Sequence, residues 1–297
     1  MLDLPHLPLP EEDLKELQRF CLENADRGEI LKESLARRGI PYRVISIGES
    51  RHIALPTPNA TEMDRQYYRV TLISHYDRVH GSPGANDNAA CIFQLMSHWE
   101  EIRRLGWRHR TQIIFTDREE LTKNMRPTDQ GSWFLARHLK RLNVRNLLFL
   151  VLDMCGIGNT PVWGRGLRKS RMRWNDDSIA GAYRVMENFL KNYSNGRDFG
   201  VNPMFSDNLG LLLGGYPAIQ LSILPRDEAL YLAERYGKVN SDNPAGGRQG
   251  IKLPKTWKAS HGSNDSVGTL EYSAFLLMAR ILRNLAQYRF PLPRSAT

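Results

Sequence analysis

Cysteine is scarce in this 297-residue chain: Cys21, Cys91 and Cys155 are an odd set that offers no framework of paired bridges. Long hydrophobic runs are missing as well. No stretch approaches the ~18 apolar residues of a membrane span, and no apolar segment of the secretory kind follows Met1. Internal repeats, low-complexity tracts and linker-like stretches are absent. These absences argue against a disulfide scaffold, a membrane-embedded chain and a repeat array. They lead to the expectation of one domain over residues 1–297, large enough to bury a sizeable core, in a reducing, cytoplasmic setting with no membrane partner.

Acidic residues are in short supply: 32 Asp and Glu against 41 Lys and Arg, a net charge of +9. Basic clusters lie at 103–110 and 165–173, with Trp107 and Trp174 in or beside them, a pattern that could stack bases. Neither cluster carries a helix-turn-helix, finger or RNA-motif sequence. The expectation is therefore a solvated basic surface and no nucleic-acid partner.

What is present alternates. Tyr68–Ile73, Gln112–Phe115 and Leu147–Leu152 are continuous apolar runs rich in Val, Ile, Leu and Phe, as expected for strands buried on both faces. Between and after them come amphipathic stretches. Asn88–Arg104 aligns Ile92, Leu95, Met96, Trp99 and Ile102, and Leu270, Ala274, Met278, Ile281 and Leu285 form a second stripe. A helical segment is expected over residues 1–40, beginning at the acidic Glu11–Asp13 and continuing to about Arg38 with an interruption near Gly28. Residues 224–255, rich in Gly, Asn, Asp and Pro, predict an irregular loop over the functional site. The fold class that follows is α/β, a three-layer α/β/α sandwich around a mixed, mostly parallel sheet.

Polar signatures stand just beyond the apolar runs, where such sheets gather ligands. They are Ser74-His75-Tyr76-Asp77, Gly84-Ala85-Asn86-Asp87-Asn88, Asp117-Arg118-Glu119-Glu120, Leu152-Asp153-Met154 and His261-Gly262-Ser263-Asn264-Asp265. Two imidazoles and three carboxylates (His75, His261, Asp87, Glu120, Asp153) can hold two zinc ions when one carboxylate bridges, and Glu119 is left to accept a proton. Each residue alone has a plainer reading: Glu119-Glu120 as a solvated face, Asp87 as a helix N-cap, Asp153 as a turn residue, His261 as surface. The remaining histidines match no such position; His80 is the one close enough in sequence to compete with His75.

Taken in order from Tyr68 to Leu285, these motifs resemble the co-catalytic zinc aminopeptidases of clan MH, exopeptidases similar to bacterial leucyl aminopeptidases. The resemblance implies that His75 and Asp153 bind one Zn2+, Glu120 and His261 the other, and that Asp87 bridges them. It further implies that Asp77 orients the His75 ring, that Glu119 is the general base, and that the substrate is a peptide with a free N-terminus. Asp265 resembles an aspartate that follows the family's last histidine. Ser206-Asp207, then Gly215-Tyr216-Pro217-Ala218-Ile219, matches a further family segment.

Departures point to a neighbouring activity. Asn208 stands where the family often has histidine, and Leu121–Gln130 is a longer loop than simple aminopeptidases carry. That loop, with Asp129 and Arg137-His138-Leu139, resembles glutaminyl cyclases, relatives that hold a single zinc; Asp87, Glu120 and His261 would then hold the ion and Asp153 would relay protons. Where the cyclases carry two pocket tryptophans, this chain has Met125 and Ser260.

Overall fold

The computed structural model describes residues 6–57, 66–121, 125–165, 177–201, 205–237 and 253–292. Among these, eight strands form one sheet in the order β1-β2-β4-β3-β5-β8-β6-β7. They are β1 (Arg43–Ile47), β2 (Ser50–Leu55), β3 (Arg69–His75), β4 (Thr111–Thr116), β5 (Leu147–Leu152), β6 (Thr160–Gly164), β7 (Gly200–Val201) and β8 (Ala218–Leu224). The central four, β4-β3-β5-β8, are parallel, while β2 joins β4 and β6 joins β8 antiparallel. Every residue of β5 and β8 is buried, which is why their apolar runs show no alternation. Each fully buried Leu or Phe there contributes about 1.5–3 kcal/mol.

The helices are α1 (Glu11–Phe20), α2 (Arg27–Arg37), α3 (Ala90–Leu105), α4 (Gly131–Arg141), α5 (Asp177–Lys191), α6 (Asp207–Leu213), α7 (Arg226–Tyr236), α8 (Lys255–Ala259) and α9 (Tyr272–Gln287). The chain crosses from β3 through α3 to β4 on one side, then from β4 through α4 to β5 on the other. Right-handed crossovers in opposite directions put α3 and α4 on opposite faces of the sheet. Here α9 packs on α3, and α6 on α4. The chain thus leaves β3 and β4 towards different faces and opens a crevice at their carboxyl ends.

Three expectations need correction. The N-terminal segment is two helices broken at 21–26, because the Asp26 carboxylate accepts from Glu29 N at 3.0 Å and starts a new helix, with Gly28 inside its first turn. The helix after Asp87 begins at Ala90, preceded by a wider turn over Ala85–Ala89. The irregular loop expected over 224–255 opens as a helix, α7: Pro225 precedes it, and Asp227 and Glu228 favour its first turn. Its glycines and prolines are concentrated at 237–250, and 238–252 lie outside the described residues. The hairpin β1–β2 and strands β6 and β7 were not anticipated. No helix among the described residues is long and apolar enough to cross a membrane.

Candidate metal centre

The strand ends bring the polar signatures together. His75 closes β3, Asp153 follows β5, and Glu119 and Glu120 follow β4 through a turn at Arg118. Asp87 sits in the Ala85–Ala89 turn, and His261 follows α8. His75 Nε2 lies 3.2 Å from Asp87 Oδ1 and 3.8 Å from Asp153 Oδ1. His261 Nε2 lies 3.1 Å from Asp87 Oδ2 and 3.4 Å from Glu120 Oε2. Two triads of the expected ligands result, His75/Asp87/Asp153 and Asp87/Glu120/His261, each with its ligand-type atoms within 4.8 Å of one another, and a third such group, His75/Glu119/Glu120, lies beside them. The two triads share Asp87, one oxygen to each. Its carboxylate therefore faces two imidazoles rather than capping α3, and His80 is exposed and belongs to neither triad.

A polar frame holds these groups. His75 Nδ1 lies 3.2 Å from the Asp77 carbonyl, which fixes the tautomer that leaves Nε2 free when Nδ1 donates there. The Asp77 carboxylate accepts from Glu119 N at 3.2 Å and Glu120 N at 3.0 Å, tying the glutamate turn to the loop after β3. Asp265 accepts from Asn86 N at 2.7 Å and Asp87 N at 3.1 Å. The Asp87-Asn88 peptide is cis. Arg118, Met154 and His261 all have positive φ (62°, 56° and 65°), a conformation that costs a side-chain-bearing residue ~1–3 kcal/mol and gathers at functional sites. Each is a site residue or adjoins one.

Sequence reasoning missed two side chains of this frame. Gln220 Nε2 donates to Asp153 Oδ2 at 3.1 Å, and Gln130 Nε2 donates to Glu119 Oε1 at 3.2 Å. Gln220 was detectable in principle, as the lone amide in the buried strand Ala218–Leu224, where a polar side chain must find a polar partner. Gln130 gave no such signal, because it precedes a helix. Asn208 Oδ1 accepts from Ser206 N at 2.8 Å, a local turn contact.

Electrostatically the cluster is overloaded with negative charge. Burial raises the Glu120 carboxyl to about 7, assisted by Asp87, and burial with Asp207 and Asp153 raises Glu119 well above the carboxylate range. Contact with Asp87 raises His261 to about 9. Burial alone would lower His75, but Asp153, Asp77 and Asp87 reverse that and raise it well above its ordinary value. Meanwhile His75 Nε2, Glu120 Oε1 and Asp153 Oδ1 are buried without a hydrogen-bond partner. Orphaned donor atoms and four crowded carboxylates (Asp87, Glu119, Glu120, Asp153) fit divalent cations, which would satisfy both at once.

The sequence profile described as peptidase family M28 matches residues 57–286. No curated protein matches the chain. Among solved structures, the chain is similar to a glutaminyl cyclase from Porphyromonas gingivalis (17% identity, 92% of this chain and 95% of that one, TM-score 0.57). It is similar also to a Zn-dependent exopeptidase from Parabacteroides distasonis (16%, 92% and 95%, TM-score 0.58). A third is a leucine aminopeptidase precursor from Bacteroides thetaiotaomicron (16%, 92% and 93%, TM-score 0.59). At these identities the likeness shows the fold, a zinc exopeptidase-like α/β sandwich.

Proposed function

Because the chain belongs to peptidase family M28, we propose that it is a zinc-dependent aminopeptidase acting on peptides with a free N-terminus. One observation carries this reading: both triads are complete around the shared Asp87. Mixed imidazole and carboxylate donors suit zinc. His75 and Asp153 would hold one ion, Glu120 and His261 the other, and Asp87 would bridge. When bound, zinc would supply a Lewis acid for the scissile carbonyl and make water acidic near neutral pH.

The remaining chemistry belongs to the chain. In its ionised form Glu119, partly buried beside the triads, takes the proton of the attacking water and returns it to the leaving amine. Gln130 holds its Oε1, leaving the other oxygen for proton transfer. Asp77 keeps the His75 ring and the Glu119-Glu120 turn in register.

A second reading, cyclisation of N-terminal glutamine, draws on the Asp129 loop and on the likeness to a glutaminyl cyclase. Against it, Met125 and Ser260 make poor aromatic walls, and a one-zinc site gives His75 no metal to bind. Zinc stoichiometry on the purified protein and on Asp153→Asn, with parallel assays on aminoacyl amides and N-terminal glutaminyl peptides, separates the two. The expected result is two zinc ions per chain, falling towards one in Asp153→Asn with loss of aminoacyl-amide hydrolysis. One zinc per chain, unchanged by Asp153→Asn and accompanied by pyroglutamate formation, makes the cyclase the right reading.

A further inference from the structure

Helices α1 and α2 precede the family-matched residues, yet α2 begins with a side chain that reaches the centre. Arg27 is 5% exposed, and its guanidinium donates to five backbone carbonyls. Nε donates to Phe20 O at 3.1 Å. Nη1 donates to Tyr76 O at 3.4 Å and Asp77 O at 3.3 Å, and Nη2 to Pro83 O at 2.7 Å and Gly84 O at 2.8 Å. One guanidinium thus gathers both ends of the loop that leaves β3 just after His75 and returns just before Asp87. Only arginine presents five donors in a flat fork, and dipoles from several carbonyls are what make a buried cation tolerable.

The return end is packed against it without slack. Gly84 has φ +59°, and a Cβ there would lie 2.7 Å from Arg27 Nη2 and 2.6 Å from the Asp87 carbonyl oxygen. Arg27 therefore takes the carbonyls on one side of this segment, while Asp265 takes the amides of Asn86 and Asp87 on the other. The stitching is reciprocal, since Arg78 of the same loop donates to Cys21 O, Leu22 O and Glu23 O at the end of α1. Arg38, also on the N-terminal pair, is buried differently: it meets the carboxylates of Asp13 and Glu100, each at 2.5 Å. Arg38 anchors helices. Arg27 anchors the site loop.

We propose that Arg27 is a positioning residue for the metal centre, fixing the placement of Asp87 relative to His75 by clasping both ends of the 76–84 loop. The inference rests on the zinc reading above. Zinc affinity is measured by chelator competition on wild type, Arg27→Met, Arg27→Lys and Arg38→Met, at a temperature where circular dichroism shows each folded. Visible absorption after loading with cobalt is recorded in parallel. Arg27→Met should bind zinc ~10–100-fold more weakly with an altered cobalt spectrum, the size expected of an outer partner of metal ligands. Arg27→Lys, which keeps the charge but reaches fewer carbonyls, should fall between and provides the test if the methionine variant does not fold. Arg38→Met should lose stability while keeping zinc affinity and spectrum. Equal zinc affinity in wild type and the Arg27 variants overturns the proposal, as does equal weakening in Arg38→Met, which would mark a general loosening. A wild type that takes up no zinc overturns the zinc reading itself.

Discussion

Two histidines, His75 and His98, are equally hidden, at 1% and 3% exposure, and their surroundings push them in opposite directions. His75 stands at the carboxyl end of β3 among Asp77, Asp87 and Asp153, and those carboxylates hold its proton far more tightly than a free imidazole would. His98 stands on α3, which packs against α9. Burial there lowers it to about 3, with help from His109 and Arg283, and neither ring nitrogen has a hydrogen-bond partner. Burial alone therefore does not make a site. What distinguishes the strand ends is a surplus of unsatisfied negative donors, whereas the α3–α9 seam is a packing element that tolerates a neutral ring.

If charge and not burial sets the two regions apart, exchanging one carboxylate for an amide at the strand ends must outweigh any change in the seam. Glu119→Gln preserves size and hydrogen bonding but cannot accept a proton. Turnover should fall by ~10²–10⁴ while zinc content stays at the wild-type level. In the same assay His98→Leu should remain within about twofold of wild type. Comparable losses in both variants would erase the distinction.

A smaller effect probes the frame. Gln220 Nε2 donates to Asp153 Oδ2, and Gln220→Leu leaves all five candidate ligands in place. It frees Asp153 Oδ2 and lets the carboxylate turn. Zinc affinity, read by chelator competition, should drop ~10–100-fold with little change in the fold. Affinity equal to that of wild type would show that Asp153 is oriented by the backbone alone.

The same contrast explains what could be read in the sequence. His75 and Asp153 were legible because VTLIS and LLFLVL are buried strands, and the first polar residue beyond such a run marks the end of the sheet where ligands gather. His261 and Asp87 lie on no strand and were found only through the order of motifs. Gln130 and Arg27 stayed hidden because their roles exist only once the chain has folded, whereas Gln220, the lone amide of a buried strand, signalled a polar partner without naming it. The misjudged stretches have physical causes too. Composition averaged over 224–255 let a run of glycines and prolines conceal the helix-forming Arg226–Tyr236. The β1 strand, partly exposed along its length, gave no continuous apolar signal.

The smallest expected effect concerns the seam and its response to acid. The His98 ring has its pKa lowered from 6.5 to about 3 in the folded protein. Below pH 6.5 the unfolded chain takes up a proton on this ring that the folded chain refuses until about pH 3. Stability is therefore lost as pH falls through that window, by up to about 1.4 kcal/mol per pH unit from this ring. His52, lowered by burial to about 4, adds a parallel term, but it is present in both wild type and variant and cancels in their difference. His98→Leu removes the titration. Urea midpoints at pH 7 and pH 5, with zinc and chelator conditions matched, should show the variant gaining about 1–2 kcal/mol over wild type on acidification. His75 titrates with the opposite sign and is untouched by the substitution, so the gain reports the seam alone. Identical pH dependence in the two proteins would mean that His98 finds a proton acceptor in solution, and the opposition between the two buried rings would then fail at its weaker end.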